Sequence, residues 1–224
     1  MRRDVLPGEQ IAARGYAFFP RLRPELPSAT VFAMLGSIDA VEGFGEIQIL
    51  APHQAAESTP NTYSGNFGTG EFPLHTDLAH WAIPPRYVVL RCISGSKSVS
   101  TRILDGSTLV KQLGKVRLRR TLVQPRRPLR NGRQLLRLLE RVDSADLERL
   151  RWDSIFLIPS NAFAASVVAE VRDVLACAEP LEISLEERGD TLVLDNWRLL
   201  HGRSPITEGG LTRLLNRGYL EVLH

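Results

Sequence analysis

Short runs of aliphatic and β-branched residues, each closed off by Gly, Pro, Ser or Asn, recur along this chain. They constrain its fold more than any other feature, because runs of this length between turn residues read as strands. PRYVVLRCIS and STRILDG stand on either side of the turn signal GSKS. LEISLEE leads through Arg188, Gly189 and Asp190 into TLVLDNW, and LTRLLNRGYLEV follows a loop containing GRSP and EGG. GEIQILAP alternates apolar and polar residues as a half-buried strand does, and SIFLIP is a further strand candidate.

Helical periodicity is confined to a few places. ATVFAMLGSI has it, a short helix is expected over Ser107–Leu113, and AFAASVVAEVRDVLACA is the clearest amphipathic stretch. NGRQLLRLLERV and DSADLERL also space their leucines as helices do, with N-cap candidates between Asp143 and Asp146. ESTPNTYSGNFGTGEFP is rich in Gly, Ser, Thr, Asn and Pro and reads as a loop running into His75. Many short strands with few helices predict a mixed α+β, mainly β, sandwich or barrel with helices outside it. At 224 residues, one domain covering 1–224 is expected, with an arginine-rich insertion over about 111–150.

Composition excludes several classes. A hydrophobic content of 43% and mean hydropathy of -0.09 are those of a globular protein. Apolar runs such as Tyr87–Leu90 and Thr191–Leu194 are far too short to cross a bilayer. The start, MRRDVLPGEQ, has no apolar stretch of the kind that a secretory signal needs, so a cytoplasmic location is expected by default. Cys92 and Cys177 are isolated, which speaks against a disulfide framework or a structural zinc site. The net charge of +3 hides a concentration of arginine between Lys111 and Arg141, including Arg117, Arg119, Arg120, Arg126, Arg127, Arg130, Arg133 and Arg137. Two readings stand for it, a nucleic-acid surface or the solvated face of an insertion. The scarcity of interleaved aromatics weakens the first.

The chemistry starts at His75-Thr76-Asp77. On an extended segment, residues i and i+2 share a face, so an imidazole and a carboxylate can converge on one ion. His201 follows TLVLDNW, and Arg213 lies on the last predicted strand. Two histidines and one carboxylate make a facial triad suited to iron(II), with positions left open. Taken singly, each has a plainer use: a hydrogen-bonded histidine, a turn-capping aspartate, a surface ion pair. Their joint occurrence in this order favours the metal site. His53, His80 and His224 lack suitable spacing for one.

FPLHTDLAHW, STRILD, GDTLVLDNWRLLHGR and TRLLNRGYLEV resemble the TauD/TfdA and clavaminate-synthase-like branch of 2-oxoglutarate-dependent oxygenases. The likeness runs from about Asn61 to Val222, outside the basic insertion. It implies a double-stranded β-helix, or jelly roll, with flanking helices and a helical insertion. It implies iron(II) on His75, Asp77 and His201, dioxygen as co-reactant, and 2-oxoglutarate with its distal carboxylate on Arg213 and Thr101. A guanidinium fork matches a carboxylate, and a hydroxyl adds one bond. Arg217 is expected near the primary substrate or in an ion pair supporting Arg213, with Asn66 and Trp81 at the substrate mouth. The carboxylate of Asp77 favours hydroxylation, desaturation or ring formation over halogenation.

The implied substrate is a small polar molecule bearing a carboxylate, such as an amino acid or natural-product intermediate. A nucleic-acid or carrier-bound substrate docked on the basic insertion, and a non-catalytic binding protein on the same scaffold, are the competing readings.

Overall fold

The computed structural model describes residues 7–41, 43, 45–128, 132, 134–142 and 147–224. In chain order the strands are β1 (Tyr16–Phe19), β2 (Gly36–Ile38), β3 (Gln48–Leu50), β4 (Phe72–His75), β5 (Tyr87–Ser94), β6 (Ser100–Asp105), β7 (Leu122–Pro125) and β8 (Leu136–Arg137). They continue with β9 (Leu139–Arg141), β10 (Glu148–Leu150), β11 (Leu157–Pro159), β12 (Leu181–Ser184), β13 (Thr191–Asp195), β14 (Leu199–Arg203) and β15 (Leu214–Leu223). The helices are α1 (Pro7–Arg14), α2 (Ser28–Leu35), α3 (Tyr63–Phe67), α4 (Ser107–Leu113), α5 (Lys115–Arg120) and α6 (Ala162–Ala176).

Two antiparallel sheets form the core of the fold. The larger has the order β1-β13-β5-β15-β2, with β3 also paired to β15, and the smaller has the order β12-β6-β14-β4. Side-chain alternation explains the layering. On β5, Val88, Leu90 and Cys92 face Ile103 and Leu199 of the smaller sheet, while Tyr87 and Val89 face Val31, Phe32 and Leu35 of α2. A strand covered on both faces needs apolar residues at successive positions, which is why YVVL lacks the alternation of a half-buried strand.

The outer face of the smaller sheet is covered too. Leu104 and Leu200 pack under Val167, Val168 and Val171 of α6 and under the leucines of the insertion. This mainly β architecture with flanking helices is the jelly roll that the motifs imply. No helix among the described residues is long and apolar enough to cross a membrane.

The insertion departs from the sequence expectation. Only its start is helical, in α4 and α5; NGRQLLRLLERV supplies β8 and β9 instead. Leu136 and Leu138 are buried while Arg137 between them is exposed, the two-residue period of a strand, and β8 pairs with β7. Leucines spaced by one and two positions satisfy both periods, so the sheet partner decides. Glu148–Leu150 likewise forms β10, paired to β9, rather than a helix. Arg130, Arg133 and the Asp143 to Asp146 capping stretch lie outside the described residues. In the segment read as loop, Thr62 caps α3 by accepting a hydrogen bond from the Gly65 N–H at 3.0 Å.

Candidate active site

His75 and His201 are brought together by strand register. They are direct partners in the antiparallel β4–β14 ladder, and their ring centroids lie 4.7 Å apart. Directly opposed residues on neighbouring strands are about 4.5–5.5 Å apart, so the ladder sets the spacing without help from side chains. Asp77 falls just past the end of β4. Its place is held by Asn196, whose Oδ1 accepts the Asp77 N–H at 2.7 Å while Nδ2 donates to the Asp77 and Pro85 carbonyls at 3.0 and 2.9 Å. Thr76, between His75 and Asp77, donates its N–H to the Trp152 carbonyl at 2.8 Å.

The three side chains form a donor set with ligand atoms within 4.8 Å of one another, all buried. Asp77 Oδ1 lies 3.5 Å from His75 Nε2 and 3.7 Å from His201 Nε2. Those gaps are long for hydrogen bonds but suit an ion, since ligands about 2.1 Å from a metal at right angles sit about 3 Å apart. The His75 Nδ1–H donates to the Pro73 carbonyl at 2.8 Å, which leaves Nε2 with its lone pair directed at the centre. The other carboxylate oxygen, Asp77 Oδ2, accepts from Arg217 at 3.0 Å and from the Tyr219 hydroxyl at 3.1 Å. Arg217 also reaches Oδ1, the oxygen that faces the imidazoles, at 3.2 Å, so its guanidinium spans both carboxylate oxygens.

Electrostatics follows from this wiring. Burial would raise the Asp77 carboxyl, but Arg217 and the two histidines outweigh it and hold the group well below the usual carboxylate range. Burial would lower His75, yet its contacts with Asp77 and the charge of Asp153 raise it. His201 is lowered, chiefly by burial, with the neighbouring His75 and Arg217 adding to the effect against Asp77.

The triad opens into a cavity of about 500 Å³ lined also by Thr101, Trp81, Arg213 and Arg217. Arg213 sits immediately before β15 rather than on it, and a register shift at Leu214 and Leu215 follows; both arginines nevertheless line the cavity. Arg213 has no ion-pair partner among the described residues, its Nε is buried without a hydrogen bond, and burial pulls its guanidinium down to about 10. A buried, unpaired guanidinium lining the same cavity as Thr101 is suited to a carboxylate. Arg217 is differently engaged: one terminal nitrogen bonds Asp77 and the other Gln48 Oε1 at 2.5 Å, so it supports Asp77 and not Arg213. Trp81 lines the cavity. Asn66 does not; it is exposed and its amide turns back to the Thr62 carbonyl at 2.6 Å, and Asn61 lines the cavity instead.

Sequence reasoning missed four contributors. Tyr63 stacks on the His75 ring with centroids 4.1 Å apart, and its hydroxyl donates to Asp153 Oδ2 at 3.0 Å. Asp153 is buried, lines the cavity and has no ion-pair partner among the described residues; its other oxygen accepts the Ile155 and Phe156 N–H groups. Tyr219 and Asn196 hold Asp77, as above. A signal existed only for Asn196, inside the block GDTLVLDN.

No family model and no curated protein matches the chain. Solved structures do. An asparagine oxygenase in complex with Fe(II), 3-hydroxyasparagine and succinate superposes with a TM-score of 0.71 at 18% identity, covering 96% of this chain and 77% of that one. The iron and α-ketoglutarate-dependent oxygenase PvcB, solved from Pseudomonas aeruginosa, gives 0.64 at 18%, covering 95% and 78%. The non-haem iron oxygenase OrfP, in complex with Fe, succinate and (3S)-hydroxy-L-Arg, gives 0.64 at 17%, covering 96% and 77%. Over nearly its whole length, the chain has the jelly-roll fold of these iron oxygenases.

Proposed function

We propose that the protein is an iron(II)- and 2-oxoglutarate-dependent dioxygenase that hydroxylates a small polar substrate of the amino-acid class. The observation that carries this reading is the convergence, in one cavity, of the buried His75–Asp77–His201 set with the unpaired guanidinium of Arg213. His75, Asp77 and His201 would hold the iron, and Arg213 with Thr101 the distal carboxylate of the cosubstrate. Bound there, iron, 2-oxoglutarate and dioxygen would together supply the oxidising power for hydroxylation, with succinate and carbon dioxide as co-products.

The chain's own contribution is orientation and exclusion of water. Arg217 spans both oxygens of Asp77 and Tyr219 adds a bond to Oδ2, which fixes the carboxylate plane with Oδ1 toward the imidazoles. Leu90, Phe156, Ile206 and Leu215 give the cavity apolar walls. Asp153 argues for the substrate class. A buried carboxylate facing the cavity without an ion-pair partner favours a ligand with an ammonium group, and two of the three solved structures named above hold a hydroxylated amino acid. With Arg217 engaged by Asp77, the substrate carboxylate needs another partner, and Arg203, which also lines the cavity, supplies a cation.

Several arginines in and next to the insertion are paired within the chain, Arg117 with Glu170, Arg119 with Glu148, and Arg149 and Arg151 with Glu140, which favours the small-molecule reading over docking of a nucleic acid or carrier. Succinate release by iron-loaded protein tests the proposal, with each L-amino acid offered in turn. At least a tenfold stimulation by one of them is expected. No stimulation by any would overturn the substrate class, and no succinate at all would favour a binding protein.

A further inference from the structure

The end of the arginine-rich insertion does more than cover the sheet. Three consecutive residues after β10 reach three different parts of the candidate site. Arg151 donates from one terminal nitrogen to the carbonyls of Ala79 at 2.9 Å and Trp81 at 2.7 Å, and from the other to Ala82 at 3.2 Å. The Trp152 N–H donates to Thr76 Oγ1 at 3.1 Å and its carbonyl accepts the Thr76 N–H. Asp153 takes the hydroxyl of Tyr63, which stacks on His75.

The loop that Arg151 grips is under strain. Leu78, directly after the ligand Asp77, has a φ of 54°, a left-handed backbone that a leucine rarely adopts. Such a conformation persists only where the surroundings over-determine it. Beside the turn bond from the Trp81 N–H to the Leu78 carbonyl, three carbonyls of residues 79–82 are held by Arg151. The Arg151 side chain is 1% exposed, and its charge is met by Glu140 Oε2 at 3.2 Å, an oxygen shared with Arg149 at 2.7 Å. A buried guanidinium spanning three carbonyls and one carboxylate uses its planar fork as a brace, for which neither a lysine nor an apolar residue is equivalent.

We propose that Arg151 is a positioning residue: by bracing residues 79–82 it holds Trp81 at the wall of the substrate cavity, coupling the arginine-rich insertion to substrate selection. The brace stands independently of the oxygenase reading, and its consequence for substrate rests on that reading. The test compares Arg151→Met and Arg151→Lys with the unsubstituted full chain by backbone amide exchange, resolved by peptide. In Arg151→Met, amides of residues 78–83 are expected to exchange at least tenfold faster, while those of β13 and β14 stay within twofold. Arg151→Lys is expected to lie between, because an ammonium recovers some of the carbonyl bonds. Affinity for iron(II) with 2-oxoglutarate, read from the visible charge-transfer band, is expected to stay within twofold.

Unchanged exchange in 78–83 would overturn the proposal, as would acceleration spread equally over β13 and β14, or a tenfold loss of iron and cosubstrate affinity. If the methionine variant does not fold, the lysine variant carries the same comparison. Should the unsubstituted protein show no charge-transfer band, the oxygenase reading fails while the exchange data still decide the brace.

Discussion

The two walls of the cavity are held by different physical means. On one wall, His75 and His201 face each other across a strand ladder, and backbone hydrogen bonds set their distance. On the other, Tyr63, Trp81 and Asp153 stand on short helical or irregular segments whose positions depend on side-chain bonds such as Tyr63 to Asp153 and Arg151 to the 79–82 carbonyls. A ladder-built wall tolerates loss of a side chain without moving its neighbours. A wall tied by individual polar contacts does not, because each lost partner leaves a buried group unsatisfied. The ladder wall should therefore lose ligands cleanly on mutation, and the tied wall should lose geometry.

The largest expected effect is at the donor set, where His201 stands on the ladder and Asp77 just past its end. His201→Ala and Asp77→Ala should each weaken iron(II) binding by at least about 100-fold, measured by metal titration. Only Asp77→Ala should also destabilise the metal-free protein, by roughly 3 kcal/mol, since it strands the Arg217 charge. Equal destabilisation by both, in denaturant unfolding without metal, would break the distinction. Arg213→Met should raise the dissociation constant of 2-oxoglutarate about 100-fold and Thr101→Val about fivefold, as expected for a charged and a neutral hydrogen-bonding partner.

Asn196→Ala should sharpen the comparison at the boundary between the walls. It removes three bonds that hold the Asp77 backbone and Pro85, and about a tenfold loss of iron affinity is expected with β4 and β14 intact.

How much of this was legible follows the same division. The strands, the H-x-D pair and His201 could be read because period-two patterning and short motifs encode ladder geometry directly. Tyr63 and Asp153 could not, since their meeting depends on a loop of one region folding against the end of an insertion about 90 residues later. The insertion itself was misread as helical because closely spaced leucines fit either period until β7 supplies a partner. Asn66 and Asn61 illustrate the limit at one-residue scale: both lie in the right segment, and only the capping of α3 by Thr62 decides which faces the cavity.

Smaller effects probe the insertion. Burial would raise the Glu140 carboxyl, but Arg149 and Arg151 outweigh it and lower it below its ordinary value. A depressed folded value means that its stabilisation is present above the unfolded value near about 4.3 and is lost as pH falls through the folded one. The stability gap between the unsubstituted protein and Glu140→Gln should therefore be open at pH 7 and close below about pH 4, in denaturant titrations across that range. A gap independent of pH would remove the ion pair from the account of the brace. At the bottom of the scale, Arg127→Gln, on the exposed surface of the insertion, should change stability by no more than about 0.5 kcal/mol and leave succinate formation untouched. A marked loss of turnover there would reopen the docking reading.

The central claim is that His75, Asp77 and His201 share one ferrous ion with a keto-diacid anchored by Arg213. Anaerobic titration of the metal-free protein with iron(II) and then 2-oxoglutarate tests it most directly. A visible charge-transfer band should grow to saturation at one iron and one 2-oxoglutarate per chain and be absent in His201→Ala. A flat spectrum at saturating concentrations of both, or a band of equal strength in His201→Ala, would contradict it.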